Sequence, residues 1–224
     1  RVLFRSVPEK FMKKLGKCKP SISSFIVWLG LTSDLRGKIE GFSFHMQRAK
    51  ERERDYEDSL EGRVERGYYS VTVFDNAFDG YSRPGCSTVM ILFPCGYEPW
   101  KKFEKDYWAG KKEDYNEQKK RWADTLISRA EKALIPGLSE IIEVVEAATP
   151  LTNWRFTGNT CGAIYGYEQS VCNSFTNRIS VESPVKGLFL TGAWSNPGAG
   201  FVGVLQSGAW TSQSLIHYYK KHKI

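Results

Sequence analysis

Gly187-Leu-Phe-Leu-Thr-Gly-Ala-Trp-Ser-Asn-Pro-Gly-Ala-Gly-Phe-Val-Gly-Val-Leu-Gln-Ser-Gly208 is the most informative stretch of this 224-residue chain. Its apolar start, 187–191, predicts a short buried strand. A turn follows in which glycines remove side chains, and a helix is expected from about Phe201 to Tyr219. Gly198–Gly203 spells G-x-G-x-x-G, but the context argues against a dinucleotide fingerprint. Six residues separate Thr191 from Gly198, whereas the fingerprint abuts its strand. Only 21 residues follow Gly203, too few for a returning strand and an acidic ribose ligand.

The segment still suits an extended ligand. A helix N-terminus offers free N–H groups and a partial positive charge, and glycines let such a backbone touch what it binds. Gly203, Ser207 and Thr211 fall on one helical face. That small-residue stripe fits either a flat cofactor or tight packing on another backbone, and spacing alone leaves both open.

Upstream, Ile22–Leu31 is rich in β-branched and aromatic residues and predicts a strand with both faces mostly buried. Tyr68–Phe74 and Thr88–Phe93 predict two more. Residues 36–66 are polar, with a dense charge run that predicts a short exposed helix or a mobile excursion. Residues 114–135 place Trp122, Leu126, Ala130 and Ala133 on one face and predict the clearest helix, stopped by Pro136-Gly137. A helical turn at 138–141, an extended 142–148, and a loop with an edge strand over 154–167 complete the expectation. Strands mixed with helices indicate an α+β or mixed-sheet α/β fold.

With 41% hydrophobic residues, the composition excludes disordered and collagen-like classes. The five cysteines, Cys18, Cys86, Cys95, Cys161 and Cys172, form no C-x-x-C pair and lie far from the three histidines. A metal site and a disulfide framework are therefore not expected; reduced thiols and a cytoplasmic location are. Net charge is +7, but basic and acidic residues interleave as on solvated helix faces, so nucleic acid is not an expected partner. Paired catalytic carboxylates and a Ser/His set are not apparent.

The resemblance is specific at the C-terminus. Leu188-Phe-Leu-Thr-Gly-Ala-Trp194, Asn196-Pro-Gly-Ala-Gly200 and Val204-Leu-Gln-Ser-Gly208 together resemble the flavin-contacting signature of the phytoene desaturase and carotenoid isomerase-like FAD-dependent oxidoreductases, within the amine-oxidase-type flavoproteins. Thr149-Pro-Leu-Thr152, Arg155-Phe-Thr-Gly-Asn159 and Gly162-Ala-Ile-Tyr-Gly166 resemble the stretch these proteins carry before it. The resemblance implies a substrate domain over 7–185 and, over 186–224, the strand–turn–helix that returns to an FAD-binding Rossmann-type domain. The N-terminal part of that domain is absent from this sequence, so the chain is expected to be the C-terminal part of a protein about twice as long. Residues 1–6, Arg-Val-Leu-Phe-Arg-Ser, read as a non-native leader.

The resemblance also implies FAD as cofactor. Gly192, Ala193 and Trp194 would end the strand beside the flavin, and Gly200, Phe201, Val202 and Gly203 would face the N1–C2=O edge of the ring. Arg155, in an otherwise uncharged stretch, and Tyr165 are candidates for substrate contact. The expected reaction is desaturation, saturation or cis–trans isomerisation of C=C bonds in an apolar isoprenoid or carotenoid-like compound, with peripheral membrane contact. An amine-oxidase-like flavoenzyme on another substrate is the enzymatic alternative. A basic membrane- or nucleic-acid-binding module is the other.

Overall fold

The computed structural model describes residues 7–48, 51–174 and 177–222, with the Cys172 side chain outside that description. The leader assigned to 1–6 also lies outside the described residues. The chain forms two compact units, Ile22–Gly162 and a second made of the N-terminal segment to Ser21 with Ala163–Ile224.

The first unit is built on five strands: β1 (Ser23–Leu31), β2 (Ser43–Met46), β3 (Tyr69–Val73), β4 (Ser87–Cys95) and β5 (Ile142–Ala148). Their order is β2-β3-β4-β1-β5. Every pair is antiparallel, so the α+β expectation holds and the mixed sheet does not. Parallel neighbours need a crossover connection. Here the one through the long helix α5 (Glu113–Ala133) skips a strand: β4 and β5 run the same way, but β1 lies between them, antiparallel to both.

Register places Phe25 opposite Phe93, Val27 opposite Ile91 and Leu29 opposite Val89, all fully buried. α5 lies on this face. Trp122 meets the rings of Phe25 and Phe93 at 5.4 and 6.0 Å, with Leu126 and Ala130 buried behind it. Each fully buried Phe, Val, Ile or Leu here contributes roughly 1.5–3 kcal/mol. Trp100, in the short helix α3 (Glu98–Lys101), is sealed among Phe25, Trp122 and Tyr115. The short α4 (Glu104–Trp108) adds Tyr107 to the same cluster. β1 is mostly buried on both faces, as expected, with Trp28, on the side away from Phe25, exposed at 37%.

Two elements depart from the sequence expectation. The helix in the charged excursion, α2 (Arg52–Leu60), is not simply exposed, because Asp55, Asp58 and Ser59 are buried. Arg48 Nη2 and Arg63 Nη1 donate to the two Asp58 oxygens at 2.6 and 3.0 Å, and Arg66 Nε lies 3.4 Å away. Alternating charge in sequence thus hides a carboxylate closed in by three guanidinium groups. The start of the expected 154–167 loop is instead part of helix α6 (Pro150–Thr157), capped by the Thr149 hydroxyl, which accepts from the Thr152 N–H, and ended by Gly158 at φ 71°.

The Asp58 arrangement has a pH signature. Burial opposes its ionisation, but hydrogen bonds from Arg48 and Arg63 hold its pKa below the ordinary carboxylate value. A group whose folded pKa is depressed contributes stability above its unfolded pKa and loses it as pH falls through the folded one. The thermal midpoint of the wild-type protein should therefore fall on acidification below about pH 4 more steeply than that of Asp58→Asn. Parallel profiles would show that this carboxylate is not coupled to folding.

The second unit holds α1 (Glu9–Lys17) and α7 (Gly200–His222). The strand expected over 187–191 is not formed as a sheet element. Phe189 pairs with Glu182 in a single antiparallel bridge, and the Leu190 N–H donates to the Val181 carbonyl at 2.7 Å. The segment is extended, as its residues favour, but a strand needs a ladder, and this one folds back only on the residues just before it.

Candidate functional site

The glycine turn and the first turn of α7 bring Gly192, Ala193, Trp194, Gly200, Phe201, Val202 and Gly203 into the second unit, together with Tyr165. Gly192 and Gly200 adopt φ of 92° and 83°, and a Cβ at either would meet open space. The conformation, not crowding, therefore requires glycine there. Phe201 and Val202 point outward at 94% and 78% exposure. Bare backbone thus sits beside a helix N-terminus, whose first N–H groups have no partner within the helix, which fits the edge of a planar ligand that gains negative charge.

The small-residue stripe is resolved by packing. Ser207 Oγ accepts from the Gly192 N–H at 3.0 Å and lies 3.0 Å from Ser195 Oγ, while Thr211 Oγ1 donates to the Leu190 carbonyl at 3.0 Å. The Cβ missing from Gly203 would come 2.8 Å from the Gly198 carbonyl oxygen. This face of α7 therefore meets the chain's own backbone, the second of the two alternatives its spacing allows. Trp194 stands edge-on to Tyr167 at 4.8 Å. With Phe11, Leu15, Ile179 and Leu190, the two rings line an apolar cavity of about 300 Å³.

Tyr165 is 46% exposed, and its N–H donates to Ser21 Oγ at 2.9 Å. Arg155 belongs to the other unit, exposed on α6 with its guanidinium 5.7 Å from the Phe156 ring. Two features escaped the sequence reading. On the sheet face opposite α5, Ile26, Trp28, Met90 and Leu92 form a contiguous apolar square, since Ile26 pairs with Leu92 and Trp28 with Met90. Ser70 and Thr72 flank it through their pairing with Leu92 and Met90. The strict alternation of β4 could have revealed this face. The other is Arg178, buried under the turn, which carries no sequence pattern at all. Among the described residues no three His, Cys, Asp or Glu side chains cluster as metal ligands, and no helix is long and apolar enough to cross a membrane.

No family model matches the chain. Among curated proteins, it is 29% identical over 136 residues to the all-trans-retinol 13,14-reductase of Danio rerio, a match covering 59% of this chain and 22% of that protein. It is 31% identical over 102 residues to prolycopene isomerase 2, chloroplastic, of an Oncidium hybrid cultivar, and 32% to the prolycopene isomerase of Daucus carota. Those two matches cover 45% of this chain and 17% of each isomerase, so the matched stretch spans about a fifth of these relatives' length. A solved oxidoreductase from Methanosarcina mazei aligns with a TM-score of 0.45 at 12% identity, over 93% of this chain and 39% of that one. The retinoid and carotenoid relatives support the resemblance carried by the C-terminal signature, that to the FAD-dependent oxidoreductases of the phytoene desaturase and carotenoid isomerase kind.

Proposed function

We propose that this chain is the substrate-side and flavin-ring-side part of an FAD-dependent oxidoreductase acting on C=C bonds of an apolar isoprenoid or carotenoid-like compound. The observation that carries the proposal is the turn at 192–203, where bare glycine backbone adjoins the N-terminus of a 23-residue helix, in a sequence similar to retinol reductases and prolycopene isomerases. When bound, FAD supplies the hydride chemistry. The chain's own part is to orient and to exclude water. N–H groups at the start of α7 would hold the pyrimidine edge of the ring, where aligned donors stabilise growing negative charge. Gly192, Ala193 and Trp194 would border the ring. Within the sheet unit, the Ile26–Trp28–Met90–Leu92 face is a candidate apolar contact for a polyene chain. Arg155 and Tyr165 remain candidate substrate contacts.

Flavin absorbance in the purified complete protein tests the cofactor, and a screen of retinoids, carotenoids and amines then separates this reading from an amine-oxidase-like one. The 224-residue chain alone should bind FAD no more tightly than about 1 μM, or about 8 kcal/mol. The ADP half of the cofactor requires a βαβ unit that the sequence does not contain. Sub-micromolar affinity in a fluorescence titration would contradict that division of labour.

A further inference from the structure

Arg178 is 2% exposed, yet among the described residues no carboxylate pairs with it. Its guanidinium instead donates to four backbone carbonyls. Nε reaches Ser195 at 3.1 Å and Nη1 reaches Asn173 at 3.4 Å, while Nη2 serves Tyr167 at 3.2 Å and Ala193 at 2.7 Å. Two of these carbonyls precede Arg178 and two belong to the glycine turn. The neighbouring backbone repeats the tie, as the Asn196 N–H donates to the Ile179 carbonyl at 2.7 Å. Gly198 packs close against the guanidinium: a Cβ there would come within 2.9 Å of both Cζ and Nε. Burial pushes the Arg178 pKa down, but an arginine keeps its charge in proteins.

Carbonyl dipoles solvate this cation without neutralising it. A buried positive charge that lacks a counter-ion favours negative charge nearby, and low dielectric lengthens its reach. We propose that Arg178 is the positioning residue of the cofactor turn: it pins residues 193–198 in the shape that presents the start of α7, and its uncompensated charge favours the reduced, more anionic flavin. The proposal rests on the FAD reading above. It goes beyond that reading by assigning the residue that shapes the turn and biases the cofactor's potential.

The test uses the complete protein and compares wild type with Arg178→Met and Arg178→Lys. Four quantities are read: FAD affinity, the two-electron potential of the bound flavin, the apoprotein's thermal midpoint, and amide exchange over 192–198. Arg178→Met should weaken FAD binding at least about tenfold and move the potential negative by about 30 mV, the equivalent of a tenfold change in the relative binding of reduced flavin. Exchange over 192–198 should quicken. Arg178→Lys keeps the charge but not the planar fork, so it should recover the potential more than the affinity. If only the midpoint falls while affinity and potential stay at wild-type values, Arg178 is a packing residue and the proposal is overturned. If Arg178→Met does not fold, the lysine variant decides, and wild-type affinity and exchange in it would overturn the proposal. A wild-type protein without flavin defeats the functional reading itself, whereas a flavin-bearing wild type with an indifferent Arg178→Met defeats only this inference.

Discussion

In the complete protein, Gly203→Val is expected to cut FAD retention at least about tenfold and to lower the apoprotein's thermal midpoint as well. The helix can carry valine, whose propensity is no worse than that of glycine. The difficulty lies at the contact: even a Cβ at this position would sit 2.8 Å from the Gly198 oxygen and 3.2 Å from its carbon. Those are backbone atoms of the cofactor turn, so the valine must displace either the turn or the start of α7. Overpacking of this kind costs ~1–3 kcal/mol. Flavin content and apoprotein melting should be measured together, with Gly203→Ala as the smaller step. Full flavin occupancy beside a lowered midpoint would mean that the turn packs but does not hold the cofactor.

Trp100→Ala should destabilise the sheet unit by about 3–5 kcal/mol, the largest loss expected from a single side chain. The indole is fully buried and stacks on Phe25 at 5.6 Å, with Trp122 at 4.9 Å and Tyr115 at 5.8 Å edge-on. α3 has only four residues, so no neighbouring helical turn can move in to fill the void. Trp100→Phe should recover much of the loss. Chemical denaturation checks both, and a cost below about 1 kcal/mol for the alanine variant would show that the aromatic cluster closes over the gap.

What was legible in the sequence follows from which forces are local. β4 and α5 announce themselves through side-chain periodicity, since each buries one face or stripe. β1 and β3 show in their β-branched and aromatic content, and α7 in the Gly/Pro turn before it. α6 was obscured by the glycines that follow it, although Thr149, Pro150 and Gly158 mark its cap, first turn and end. Pairing order was not legible, because β1 chooses β4 and β5 through contacts distant in sequence. The apolar run at 187–191 reads as a buried strand because composition reports preference for extended backbone, not the presence of a partner. The turn itself was visible, since positive φ demands glycine at Gly192 and Gly200. Arg178 was not, because a lone arginine in a polar stretch looks like any surface cation until its four carbonyls converge from both sides.

α7 inverts the usual arrangement of an amphipathic helix. Its hydroxyls and glycine turn inward, while Phe201, Leu205 and Ile216 stand 94%, 75% and 54% exposed on the other side. The consequence is practical. Large apolar side chains exposed on one side of a helix promote self-association as concentration rises. Preparations of this chain should therefore be kept dilute or in mild detergent, and elution volume on size exclusion should depend on loading unless these three side chains are made polar.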